Sequence, residues 1–178
     1  MDIEKAITTF GTEAVLRYRT MAQGRYDNEV PTSFLRAYVA QRLYDQFART
    51  IHIERPYIAL ALDLGLQVTP DLISATRTQC ANLAVYENGR PTAVIEMEIF
   101  DSSAPLPGLR FSLDRAKFLA RDGGVQILVG FMICPIVVSL EARIERLHDA
   151  FGGNMYIGER QLSGDGRWEW CFASASVR

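Results

Sequence analysis

Residues 82–100 read NLAVYENGRPTAVIEMEIF. Two β-rich runs flank Asn88-Gly89, the strongest short-range hairpin signal. The second run, AVIEMEIF at 93–100, is built to be buried yet carries Glu96 and Glu98. Strand side chains alternate between faces, so both carboxylates point the same way. Burying an unpaired charge is costly, and a second carboxylate beside it adds repulsion. The pair therefore calls for a cation, either an arginine or a metal ion. The hairpin register decides what joins it. A two-residue turn sets Glu87 opposite Arg90 and Asn82 opposite Ile95, which points Asn82 away from Glu96. A Glu87-Asn88-Gly89 loop with a bulge at Gly89 sets Tyr86 opposite Arg90 and Asn82 opposite Val94. Asn82 then shares a face with Glu96 and Glu98. The bulged register is the expected one, because it alone gathers the polar side chains.

Downstream, SSAPLPGL (102–109) reads as a Pro-rich loop and FSLDRAKFLARDGG (111–124) as a helix closed by glycines. VQILVGFMIC (125–134) is a nearly continuous apolar run, the pattern of a strand covered on both faces. SLEARIERLHDAFGG (139–153) is an amphipathic helix with Leu140, Ile144, Leu147 and Phe151 in register. Residues 154–177 form a closing hairpin around SGDG, with Trp168, Trp170 and Phe172 on one face. That alternation favours a core or subunit face over base stacking.

Upstream, residues 2–23 read as a helix broken or bent near Gly11, and 24–31 as a turn. Residues 32–50 form a helix with Phe34, Ala37, Tyr38, Gln41, Tyr44, Phe47 and Ala48 at helical spacing, capped by Thr32 or Ser33. YIALALDLGLQV (57–68) alternates as a strand or hairpin does, and 69–80 carries no clear pattern. The order is helix, strand, hairpin, helix, strand, helix, two strands. It predicts a mixed sheet with helices on both faces.

The chain has 178 residues, 48% apolar and 22% charged, which suits one domain with a sizeable core. A net charge of −2 gives no global attraction to nucleic acid or anionic membrane, although a local positive groove is compatible with it. Cys80, Cys134 and Cys171 are odd in number and dispersed, which argues against a disulfide framework or a Cys-rich zinc site. With no signal-peptide pattern in MDIEKAITTF and no ~20-residue apolar span, the expectation is a cytoplasmic chain with no membrane partner. His52 and His148 have no nucleophile pattern beside them and read as surface or capping residues. No GxSxG, P-loop or dinucleotide-binding glycine pattern is present.

A polar residue on one strand, a short hairpin and Glu-x-(Lys or Glu) late in the next strand resemble the PD-(D/E)XK nuclease superfamily. VPTSFLRAYVAQRLYDQF (30–47) resembles the first helix of its small bacterial members, and the helix and strand after the hairpin fall where that core needs them. The resemblance implies a restriction-endonuclease-like αβββαβ core over 29–135, with a helical extension at 1–28 and an extra helix and hairpin at 136–178. It also implies a Mg²⁺ site and hydrolysis of DNA phosphodiesters. Carried across, Asn82 stands at the aspartate position, Glu96 at the motif glutamate and Glu98 at the lysine position. Asp71, in a literal Pro70-Asp71, is a second candidate for the motif acid. Of 19 Lys and Arg residues only Lys5 and Lys117 are lysines, so Lys117 is the candidate for a lysine moved to the next helix. Thr32, with Glu29 just upstream, takes the place of the first-helix acid.

The plainer readings are a Lys117 paired with Asp114 or Asp122, and glutamates neutralised by Arg110 or Arg115. Three functions follow: a Mg²⁺-dependent nuclease, an inactive pseudo-nuclease that binds or assembles, and an unrelated α/β protein with structural glutamates. Such folds often pair, and the aromatic closing hairpin is the candidate homodimer interface.

Overall fold

The computed structural model describes residues 2–23, 27–76, 78–100, 107–134, 139–151 and 154–177. In chain order the elements are α1 (Ile3–Ala22), a 3-10 turn (Asp27–Glu29), α2 (Thr32–Phe47), β1 (Thr50–Pro56), α3 (Tyr57–Asp63), α4 (Pro70–Thr76), β2 (Cys80–Glu87), β3 (Arg90–Phe100), α5 (Pro107–Gly123), β4 (Gln126–Ile133), α6 (Leu140–Phe151), β5 (Met155–Ile157), β6 (Gln161–Leu162) and β7 (Glu169–Val177). The seven strands form a mixed sheet in the order β1-β2-β3-β4-β7-β5, with β6 also on β7. Among the described residues only β3 and β4 run parallel, joined through α5. The remaining pairings are antiparallel.

Helices cover both faces, as the element order predicts. On one face α1 and α2 pack Ile7, Phe10, Leu35, Val39 and Leu43 onto Ile95, Met97 and Leu128. On the other, α3, α5 and α6 pack Leu60, Leu119 and Leu147 onto Val94, Val129 and Phe131. The alternation along β3 is complete, with Val94 and Phe100 on the α5 face and Ile95 and Met97 on the α1 face.

The hairpin exists, but its register differs from both expected forms. Asn88 (φ 52°) and Gly89 (φ 77°) both sit in the left-handed region, so the turn has two residues and Glu87 faces Arg90. The bulge falls on β3: Tyr86 pairs with Pro91 and Val85 with Ala93, leaving Thr92 as the extra residue. Pro91 has no N–H to give the ladder, which is the physical reason for an irregularity there. Beyond the bulge Leu83 pairs with Ile95, so Asn82 lies directly opposite Glu96.

Three other expectations change. Residues 57–63 are helix, not strand: Tyr57, Leu60 and Ala61 are buried at i, i+3 and i+4, while Leu62 is exposed. Ala and Leu are strong helix formers, and here helical propensity prevails over an apparent two-residue period. The strand is Thr50–Pro56 instead. In α2 the buried stripe is Leu35, Val39, Ala40 and Leu43; Tyr44 is exposed, and Pro31 rather than Thr32 or Ser33 stands at the cap. Helix α1 runs unbroken through Gly11, which is small because the Phe172 ring packs there: an added Cβ would lie 2.4 Å from it.

The closing-hairpin aromatics are spent inside. Trp170 and Phe172 are fully buried under α1, and Trp168 packs beside them. Trp170 and Phe172 therefore supply core, and Trp168 is half-buried at its edge. Residues 102–106 of the expected Pro-rich loop lie outside the described residues, and 107–109 open α5 instead of ending the loop.

Candidate functional site

Strand alternation and the bulge bring Asn82, Glu96 and Glu98 onto one face of β2–β3, toward α3 and α5. Asn82 Oδ1 accepts the Met97 backbone N–H at 2.8 Å, which ties the two strands at this level. Glu96 is 2% exposed, whereas Glu98 is half-buried at the outer end of the strand. The Tyr57 hydroxyl donates to Glu96 Oε1 at 2.5 Å. Tyr57 is the first residue of α3, placed there because β1 ends at Pro56 and the helix starts immediately.

Electrostatics follow from this enclosure. Burial pushes the Glu96 carboxyl up to about 7; hydrogen bonds from Tyr57 and the Asn82 backbone and the charge of Arg36 pull it down, while Glu98 adds to the rise. Burial also raises Glu98, and Arg36 opposes that rise. Among the described residues Arg36, on α2, is the cation whose charge acts on both carboxylates. Its Nη1 pairs with Glu54 Oε1 at 3.2 Å, and its Nε is buried with no hydrogen-bond partner among the described residues. Glu54 sits in β1 at the level of Asn82, with a left-handed φ of 54° that is strained for a residue with a Cβ. Tyr57, Arg36 and Glu54 were missed from sequence because each acts across elements. Cys80, exposed at the start of β2, has its thiol pushed up by burial and then by the charges of Glu54 and Glu96.

The other candidates stand elsewhere. Lys117 Nζ pairs with Asp114 Oδ1 at 2.7 Å on the exposed side of α5, as the plainer reading expects. Asp71, in the first turn of α4, lines a groove of about 620 Å³ with Leu66, Leu72, Phe118 and Asp122. Thr32 opens α2, which lies in the layer across the sheet from Glu96. The side chains of Arg110 and Arg115 lie outside the described residues. His52 packs its ring on Tyr86 at 4.6 Å, and Tyr86 donates to Asp63, which also pairs with Arg55 at 2.7 Å. His148 falls in the last turn of α6.

The donors at β2–β3 are all oxygens, which suits a hard divalent cation. Among the described residues no three His, Cys, Asp and Glu side chains gather as a metal-holding group. The site therefore offers the two carboxylates and the second lone pair of Asn82 Oδ1. Among the described residues no helix is long and apolar enough to cross a membrane. Compared with known proteins, the chain matches no family model, no curated protein and no solved structure.

Proposed function

We propose that the chain is a divergent PD-(D/E)XK protein with the restriction-endonuclease-like fold, and that Glu96, Glu98 and Asn82 hold Mg²⁺ for hydrolysis of DNA phosphodiesters. One observation carries this reading: the Thr92 bulge sets Asn82 directly opposite Glu96, on the face that Glu98 shares. The order α2-β1-α3-α4-β2-β3-α5-β4, with β3 and β4 parallel, supports the fold half of it if α3 and α4 are taken as an insertion between the first two strands.

A bound Mg²⁺ would polarise the phosphate and acidify the attacking water. Glu96 and Asn82 would hold the ion, with Glu98 as a further ligand or as the base. In the role of base, Glu98, half-buried and with its proton affinity raised, would take a proton from the attacking water. Arg36 supplies positive charge near both carboxylates, where the sequence has no lysine in the motif.

A second reading, an inactive pseudo-nuclease that binds or assembles, has its own support. Asn82 Oδ1 is engaged by Met97, Tyr57 covers Glu96, and Lys117 is occupied by Asp114. A Mg²⁺ and Mn²⁺ titration with plasmid and single-stranded DNA separates the two. The nuclease reading expects cleavage that requires the ion and disappears in Glu96→Ala. Cleavage that survives this substitution, or none under any condition, removes it.

A further inference from the structure

We propose that Tyr57 is the positioning residue of the cation site, fixing the Glu96 carboxylate through Oε1, beside the Asn82 backbone N–H, before an ion arrives. The inference rests on the cation-binding part of the reading above. Tyr57 is 1% exposed and Glu96 2%, and the hydroxyl meets Oε1 at 2.5 Å. A free glutamate side chain has several rotatable bonds, and a bond from a fixed ring removes that freedom before the ion arrives.

The residue is held through both its backbone and its ring. The Tyr57 backbone N–H donates to Gln79 O at 3.2 Å, which anchors the start of α3 to the segment leading into β2. Leu60 and Ala61, on the same side of α3, are fully buried. Phe118 of α5 packs against the ring at a centroid distance of 6.5 Å. Phe118 also lines the 620 Å³ groove, so the wall of that groove backs the residue that seats Glu96. Among the described residues the charged groups around Glu96 are Glu98 on the same strand and Arg36 from α2, with the Cys80 thiol at the start of β2. Among the described residues, Tyr57 is the side chain that donates to the Glu96 carboxylate. Outer partners of metal ligands are typically worth roughly 10- to 100-fold in metal affinity.

The test is Mn²⁺ binding by electron paramagnetic resonance on the full chain at one fixed pH, with folding checked by circular dichroism. Four proteins complete a double-mutant cycle: wild type, Tyr57→Phe, Glu96→Ala and the double variant. The expected result is an affinity loss of roughly tenfold or more in Tyr57→Phe, with no further change when Tyr57→Phe is added to Glu96→Ala. A merely structural tyrosine would weaken both backgrounds equally. If Tyr57→Phe binds Mn²⁺ like wild type, or weakens both backgrounds alike, the positioning role is overturned while the cation reading stands. If wild type binds no Mn²⁺, or Glu96→Ala binds it equally, the cation reading falls and this inference with it. Should Tyr57→Phe not fold, Phe118→Leu keeps the hydroxyl but loosens the ring. A several-fold loss of affinity there supports the role, and unchanged affinity overturns it.

Discussion

The Tyr57 hydroxyl and Glu96 Oε1 meet at 2.5 Å inside the protein, joining the first residue of α3 to the middle of β3. Even with that bond, burial dominates and holds the carboxyl at about 7, above its ordinary 4.5. The folded state therefore keeps a proton that the unfolded chain releases. Stability from this group is full below about 4.5 and is lost as pH rises through about 7. The loss is of order 3 kcal/mol. Urea unfolding of wild type and Glu96→Gln between these limits should show a pH-dependent gap, with the Gln variant the more stable above pH 7. A constant gap would contradict this account of Glu96.

Arg36 opposes the rise at both Glu96 and Glu98. Arg36→Ala should therefore move the stability midpoint assigned to Glu96 to higher pH. It should also release Glu54 from its ion pair. The same urea series, repeated in the Arg36→Ala background, measures the shift; an unmoved midpoint would separate Arg36 from the site.

Asn82 holds Met97 N–H through an oxygen that an aspartate would also supply. Asn82→Asp should keep that bond while adding a negative charge opposite Glu96. Mn²⁺ affinity should rise, by about tenfold if charge count governs the site. Calorimetric titration reads it directly, and equal affinities would mean that residue 82 does not touch the ion.

Thr92 is the extra residue of the bulge that sets the register. Deleting it should slip β3 by one residue or force the hairpin to break. A one-residue slip moves the neighbouring side chains to the opposite face. Loss of Glu96-dependent Mn²⁺ binding together with a lower melting temperature is the expected outcome. Unchanged binding would show that the face is set elsewhere.

Asp27 clamps the far side of the fold. Its Oδ2 accepts Trp170 Nε1 at 2.9 Å and the Gly164 N–H at 3.1 Å. Asp27→Ala leaves both donors without this acceptor, at a cost of roughly 1–3 kcal/mol or more. Thermal melting with Trp fluorescence should show lower stability and an altered Trp170 environment, with the Glu96 titration unmoved.

The sequence alone determined the local parts of this protein. Asn88-Gly89 marks the hairpin, because its left-handed turn tolerates few other pairs. Alternation places Glu96 and Glu98 on one face whatever the register, and the apolar run of β4 reads as a strand covered twice. The tertiary structure decided the rest. YIALALDLGL fits both a two-residue and a helical period, and it is helix because Tyr57, Leu60 and Ala61 find a sheet face to cover. Pro91 hints at an irregularity, but only pairing shows that the bulge lies at Thr92 and sets Asn82 opposite Glu96. The bond from Tyr57 to Glu96 spans 39 positions in the chain. A contact of that kind follows from how layers pack, which no local pattern of residues encodes.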